Sequence, residues 1–166
     1  MNHTLPQLQV AYANFVTTKQ AAMRAAPAAG RQTHRLKQYP RVAAPEACDQ
    51  AVIHILLPHA LSVEKRYEDI EKPLDDILRD MNQGYVNGGG TGLIGYSDID
   101  VIVHDHERCL DVVLDVLAEV KVPPCTEVSY AARDAEVILQ FDGDAWQHVD
   151  LDDSIGGFLF MAMMRS

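Results

Sequence analysis

The chain has 166 residues, which is enough for one compact domain and too few for two domains of ordinary size. Hydrophobic residues make up 48% and charged residues 23%, a profile typical of a folded protein and not of a disordered one. The formal net charge of −10 argues against nucleic acid as a partner, because phosphate contacts need a basic surface.

The sequence also bounds the cellular context. No apolar run approaches the roughly 18 residues that a membrane-spanning helix needs, and no secretory signal pattern is present. The three cysteines, Cys48, Cys109 and Cys125, are an odd number without metal-finger spacing. We therefore expect reduced thiols, a cytoplasmic location, no membrane partner, and neither a cofactor nor a bound metal.

The charge is divided unevenly along the chain. Residues 1–45 carry six basic side chains and no acidic one, whereas residues 46–166 carry 8 basic and 24 acidic side chains, a net charge of −16. We therefore divide the chain into a basic helical and linker extension, 1–45, and a domain, 46–166. The extension should contain an amphipathic helix over Leu5–Ala26, followed by a linker rich in proline and glycine.

In the domain, apolar runs and alternation predict strands, and apolar residues at helical spacing predict two helices. In chain order, the predicted elements are a strand at Ala51–Leu57, a helix to Met81 from Lys72 or from Glu68 with a kink, a strand and turn at Gly84–Gly95, a strand at Ser97–His104, a helix at His106–Val120, and strands at Glu127–Ala131, Ala135–Phe141 and Trp146–Leu151. The apolar segment Gly156–Met164 is interpreted as a buried strand or an exposed partner contact.

This order predicts an α+β, ferredoxin-like β-α-β-β-α-β fold with one or two extra C-terminal strands and the N-terminal helical extension. Two helices should cover one face of an antiparallel sheet. Ile99, Val101 and Val103 should face these helices, whereas Asp98, Asp100 and His104 should face an open, solvated side.

The segment Tyr85–Asp105 is the richest in candidate site residues. Gly90–Gly95 formally fits the GxGxxG pattern of dinucleotide-binding loops, but those loops lead into a helix and a strand follows here. A kinase glycine loop lies between strands, yet the later kinase motifs are missing. Neither phosphate-binding interpretation is therefore supported.

A nucleotidyltransferase is a second interpretation of the same segment. A glycine pair, an Asp-x-Asp on a strand and a later acidic residue resemble that superfamily, and Asp98, Asp100 and Asp150 would be its three carboxylates. The resemblance departs where the superfamily has a helix, since the residues after Gly88-Gly89 are poor helix formers. This metal-dependent enzyme stays an alternative.

A metal site and a purely structural role are the other two interpretations. The ligands of such a metal site would be Asp98, Asp100, His104 and His106, whose even spacing would place them on one face of a strand. His106, however, should already belong to a helix. In the structural interpretation, glycines allow positive φ values and close backbone approach in a hairpin or bulged strand. The glycines concerned are Gly88, Gly89, Gly90 and Gly92.

Together, the GGGTG stretch at 88–92, the Asp98-Ile99-Asp100 strand and a helix running to Pro123-Pro124-Cys125-Thr126 resemble a group of small uncharacterised bacterial domains. The resemblance covers Ala51–Tyr130, about half of the chain. It implies a ferredoxin-like fold, and some of these domains look like toxin-immunity proteins. Cys125 departs from the glycine or glutamate more usual before the threonine. No catalytic residues are implied.

We therefore expect a non-enzymatic, acidic binding protein, an immunity protein that occludes the basic active-site surface of a cognate toxin. Its partner would be a basic protein. The predicted partner-binding residues are Tyr96, Asp98, Asp100, His104, Asp142, Asp144 and Trp146, although core packing is the favoured role for Trp146. A homodimeric structural domain, joined through the open sheet face or Phe158–Met164, is the remaining alternative.

Overall fold

The computed structural model describes residues 4–25, 50–132 and 135–164, which form a mixed structure and confirm the α+β part of the predicted fold. The helical elements are α1 (Leu5–Ala25), α2 (Val63–Arg66), a π turn (Tyr67–Glu71), α3 (Lys72–Asp80), α4 (His106–Glu119), a 3-10 turn (Leu151–Asp153) and α5 (Ile155–Met164). The strands are β1 (Ala51–Leu57), β2 (Gly84–Thr91), β3 (Ser97–Val103), β4 (Glu127–Ala132), β5 (Ala135–Phe141) and β6 (Trp146–His148).

Within the described residues, the strands form one antiparallel sheet in the order β2-β3-β1-β4-β5-β6. β1 lies at the centre, where Ile53 pairs with Val101 of β3 and Ile55 pairs with Val128 of β4. With β5 and β6 added, the strand count and order differ from those of a simple four-stranded ferredoxin-like sheet.

The first face of the sheet carries the main hydrophobic core. Ile99, Val101 and Val103 alternate along β3 and are completely buried there, as the sequence pattern predicts. The helices after β1 and after β3 close this core. Their completely buried side chains are Leu74, Leu78, Cys109, Val112, Val113 and Leu117.

The second face is partly covered, although the sequence predicts that it is open. α1 and α5 pack over one end of it, around a separate cluster of buried side chains: Tyr12, Val16, Cys125, Ile155 and Leu159. The Tyr12 hydroxyl donates a hydrogen bond to the Pro58 carbonyl at 3.0 Å, which fixes α1 beside the end of β1. The predicted N-terminal helix is thus present as a layer of the fold, while the predicted linker and Cys48 lie outside the described residues.

The C-terminal segment is the helix α5, so the strand predicted for Gly156–Met164 is wrong. The hydroxyl of Ser154 accepts a hydrogen bond from the Gly157 amide at 2.8 Å and caps the helix. Beyond the caps, the leucine, methionine and alanine of this segment are good helix formers. The strand predicted for Trp146–Leu151 also ends early, at His148. Across the described residues, no helix is both long and apolar enough to cross a membrane.

The helix before β2 begins at Val63, earlier than predicted, because Ser62 caps it by accepting a hydrogen bond from the Lys65 amide. Pro73 has no N–H to donate within a helix. The π turn at Tyr67–Glu71 precedes this proline, and the widened turn lets the helix continue through it without a break.

The outer edge of β2 is protected by side chains from this helix. The carboxylate of Asp75 accepts a hydrogen bond from the Val86 amide at 2.8 Å, and the guanidinium of Arg66 donates to the Gly89 carbonyl at 3.0 Å. These two contacts occupy backbone groups that an edge strand would otherwise offer to another chain.

Candidate functional site on the second sheet face

Two of the predicted partner-binding residues lie close together on the second face. Asp98 and Asp100 flank Ile99 on β3, so both carboxylates point away from the main core. His54 of β1 lies opposite Asp100, and its Nδ1 is 2.7 Å from the Asp100 Oδ1. The two side chains are 57% and 43% exposed, so this pair contributes little to stability and remains available to a partner.

The polar row continues onto the next strand. Ser129 of β4 is the other cross-strand neighbour of His54, which places Asp100, His54 and Ser129 in one row across three strands. A carboxylate, a histidine and a serine in sequence are also the residue types of a catalytic triad. Acyl transfer by a triad needs hydrogen-bond donors nearby that stabilise the oxyanion. The amides at the start of α5, beside the cavity, already donate to Glu127 and Ser154.

A cavity of about 340 Å³ opens beside this row, between the sheet and the first turns of α5. Its lining consists of His54, Leu56, Glu127, Ser129, Glu136, Ile138, Leu151, Gly156 and Phe160. The cavity therefore combines two carboxylates and a hydroxyl with apolar walls. Phe160 is 52% exposed, and its ring stands at the side facing solvent.

Glu127 is the most buried acidic side chain of this cavity, with 3% of its surface exposed. Its Oε1 accepts hydrogen bonds from the Ile155 amide at 2.5 Å and from Gln140 at 2.7 Å, and its Oε2 accepts one from the Gly156 amide at 3.0 Å. Burial raises the pKa of Glu127, and these hydrogen bonds, with the Lys19 charge, oppose the shift. A β4 carboxylate thus holds the N-terminus of α5.

A second cavity of about 520 Å³, whose lining includes no charged residue, lies on another side of α5, where the helix meets α1 and the turn after β2. Leu93, at the tip of that turn, is 79% exposed. Leu5, Met161 and Met164 also expose much of their side chains in this region. The surface around α5 is therefore unusually apolar beside the carboxylates of β3.

The glycines predicted to be structural lie in β2 or directly after it: Gly88, Gly89, Gly90 and Gly92. Gly88 has a φ of 121° beside a bulge, a conformation that other residues rarely adopt. A methyl group on Gly89 would overlap the backbone carbonyl of Asp98, and one on Gly92 would overlap the ring of Tyr96. Because Gly90, the cross-strand neighbour of Asp98, has no side chain, that flank of the Asp98 carboxylate is left uncovered by β2.

The remaining predicted partner-binding residues do not join this surface. The turn that carries Asp142, Asp144 and Trp146 joins β5 to β6, which lie three and four strand spacings from β3, or roughly 14 and 19 Å. Asp142 accepts hydrogen bonds from the amides of Asp144 and Ala145 within its own turn, and Trp146 packs on Phe141 with 5.0 Å between ring centroids. The seven predicted residues therefore do not form one patch.

Two other predicted partner-binding residues, Tyr96 and His104, are half-buried. Tyr96 is half-buried and packs against the cluster beneath α1, so its ring supports the fold. His104 follows β3 and is half-buried, with its backbone amide bonded to the Gln83 carbonyl. Neither side chain lines the cavity beside Glu127.

The alternative metal sites are not assembled. Asp150 lies two residues after β6, the edge strand farthest from β3, whereas Asp98 and Asp100 lie on β3 itself. His106 belongs to α4 and packs against Tyr130. Among the described residues, no group of three histidine, cysteine or carboxylate side chains could hold a metal ion.

Sequence reasoning missed His54, Ser129, Glu127 and Phe160 as site residues. His54 interrupts an apolar strand two residues before Leu56, so the side chains of His54 and Leu56 both point to the second face of the sheet. Its meeting with Ser129 depends on strand register, which the sequence alone leaves open.

Comparison with known proteins adds no relative. No protein-family model matches the chain, no curated protein is significantly similar to it, and no solved structure matches it.

Proposed function

We propose that this protein is a non-enzymatic, cytoplasmic binding protein that docks a basic protein partner on the second sheet face. In the form that the resemblance to bacterial GGGTG…DID domains suggests, it is an immunity protein. It would neutralise a cognate bacterial toxin by occluding the basic surface around the toxin's active site.

One observation carries this proposal: carboxylates and exposed apolar side chains adjoin on the same surface. Asp100 is bonded to His54, His54 lines the cavity beside α5, and the exposed Phe160 lines the same cavity. A surface that combines apolar anchors with flanking charge is typical of protein interfaces. A solvated sheet face without a partner would not need exposed phenylalanine and methionine side chains beside it.

The charge of the chain supports a basic partner. Residues 46–166 carry a net charge of −16, and opposite charge on a partner accelerates encounter and excludes acidic competitors. Asp98 and Asp100 would pair with lysine or arginine side chains that surround a catalytic centre. The toxin's substrate would then be blocked by occupation of its site.

The fold is consistent with the same proposal. We infer that β1, β2, β3 and β4, with the helices between them, are a ferredoxin-like core, because their relative order is β2-β3-β1-β4 and all neighbours are antiparallel. β5 and β6 extend this core at one edge. α1 and α5 then cover part of the face that such a core leaves open.

Co-expression with a toxin encoded beside this protein, followed by gel filtration of the two proteins, tests the proposal. We expect growth rescue and a complex, both weakened by the double variant D98N/D100N. The matched control D111N/E119Q removes the same charge from exposed positions of α4 and should bind normally. Absence of both rescue and complex would refute the proposal, and a homodimer seen by light scattering in its place would favour the structural alternative.

A further inference from the structure

We propose that the cavity between the sheet and α5 receives one arginine side chain of the basic partner. This inference rests on the proposed function and names the group that its central contact recognises. The cavity is recessed and can enclose a side chain, whereas Asp98 and Asp100 lie on the surface of a strand.

The lining residues suit a long basic side chain, which has apolar methylene groups and a charged end. Leu56, Ile138 and Leu151 provide apolar walls, and Glu127 and Glu136 provide carboxylates. A long basic side chain buries its methylene groups along apolar surface while its charged end meets acids. The volume of about 340 Å³ is in the range of pockets that bind small organic groups.

Glu127 gives an independent reason to expect a cation. This carboxylate is 97% buried, and it accepts hydrogen bonds from the neutral amides of Ile155, Gly156 and Gln140. Lys19 contacts the neighbouring Gln140, whose Oε1 is 3.4 Å from the lysine Nζ, and within the described residues it forms no direct ion pair with Glu127. A buried carboxylate that pairs directly with no cation among the described residues is costly, and an entering cation would offset that cost.

Phe160 and the geometry of the carboxylates favour arginine over lysine. The ring of Phe160 is half-exposed at the cavity, where a planar guanidinium can stack on it. A guanidinium also has five donors, so it can meet Glu136 and the free side of Glu127 together. A lysine ammonium is more strongly hydrated and loses more on entering an apolar-walled site.

The test uses n-butylguanidinium as a probe of the full-length chain, with n-butylurea as its neutral counterpart and n-butylammonium as the lysine counterpart. Binding is followed by NMR, through the amides of His54, Ser129 and Gly156. We expect saturable shifts with butylguanidinium, weaker shifts with butylammonium and none with butylurea. The exposed variant Glu136→Gln should weaken binding by about two- to fivefold, which corresponds to one partly solvated charge contact.

Phe160→Leu should also weaken binding, whereas the control Glu119→Gln on α4 should leave it unchanged. Shifts located elsewhere, no saturable shifts, or equal binding of butylammonium would overturn the arginine assignment. If these outcomes occur while the complex with the basic partner still forms, the inference fails and the proposed function stands. If the probe binds but no partner complex forms, the cavity assignment stands and the proposed function fails.

Discussion

The carboxylate of Glu127 on β4 accepts a hydrogen bond from the backbone amide of Ile155, 28 residues later, at 2.5 Å. The adjacent amide of Gly156 donates to the same carboxylate. Helix N-termini favour negative charge because their first amides are unpaired. α5 is therefore held on the sheet by a strand side chain, and the cavity beside it depends on this contact.

Glu127→Ala should destabilise the protein substantially. The substitution leaves the Ile155 and Gly156 amides and the Gln140 side chain without their acceptor, and each buried donor left unpaired costs about 1–3 kcal/mol. Glu127→Gln keeps one oxygen acceptor and should lose less. Urea denaturation measures both changes, with Glu136→Gln on the exposed side of the cavity as a control that should be nearly neutral. Equal stability of wild type and Glu127→Ala would contradict the capping role.

Burial also gives Glu127 a defined effect on the pH dependence of stability. Its pKa is raised in the folded state above the ordinary value of 4.5, so between these two pKa values the native state binds more protons than the unfolded state. Stability from this group is therefore lost as pH rises from about 4.5 through the folded pKa. In Glu127→Gln this component disappears, so the difference between the two proteins' unfolding free energies should change with pH in that window. If the difference in unfolding free energy stays constant across this pH window, the raised pKa of Glu127 is contradicted.

Replacing each of the two adjacent glycines of α5 by alanine should change the stability of the protein in opposite directions. A methyl group on Gly156 would make only ordinary contacts, the nearest being the Ser154 hydroxyl at 3.7 Å, so Gly156→Ala should stabilise the helix by up to about 1 kcal/mol. A methyl group on Gly157 would overlap the Leu151 carbonyl, so Gly157→Ala should destabilise. Thermal unfolding of the two variants provides the comparison, and a shared sign would show that the start of α5 is packed differently.

Arg66 and Glu71 form a buried ion pair across the π turn, and Arg66 also holds the Gly89 carbonyl of β2. Arg66→Ala should cost about 3–5 kcal/mol, because it leaves the Glu71 charge buried without its partner. The control is Lys72→Ala, which breaks the solvent-exposed pair with Asp76 and should leave stability nearly unchanged. Similar urea midpoints for the two variants would contradict a special role of the buried pair.

The sequence predicts the layers of this fold better than its site. The alternation of Ile99, Val101 and Val103 predicts which face of β3 is buried, and helical spacing predicts the helices that cover it. The helix α5 was not predicted, because Gly156-Gly157 suggests a break and the compensating contact comes from Glu127. His54 and Ser129 likewise meet only through strand register, and Asp142 and Trp146 lie on another edge for the same reason.

Salt should separate the role of Asp98 and Asp100 from that of the apolar cavity. Exposed carboxylates act at a distance that shrinks to about 10 Å at 0.1 M ionic strength, so they should speed association with the basic partner mainly at low salt. D98N/D100N should therefore lower the association rate and flatten its salt dependence. Phe160→Leu, which alters a short-range contact, should instead raise the dissociation rate at every salt concentration. Surface plasmon resonance across a salt series measures both rates, with D111N/E119Q as the charge-matched control. If this control flattens the salt dependence as much as D98N/D100N does, the steering charge belongs to the whole domain and not to the second sheet face.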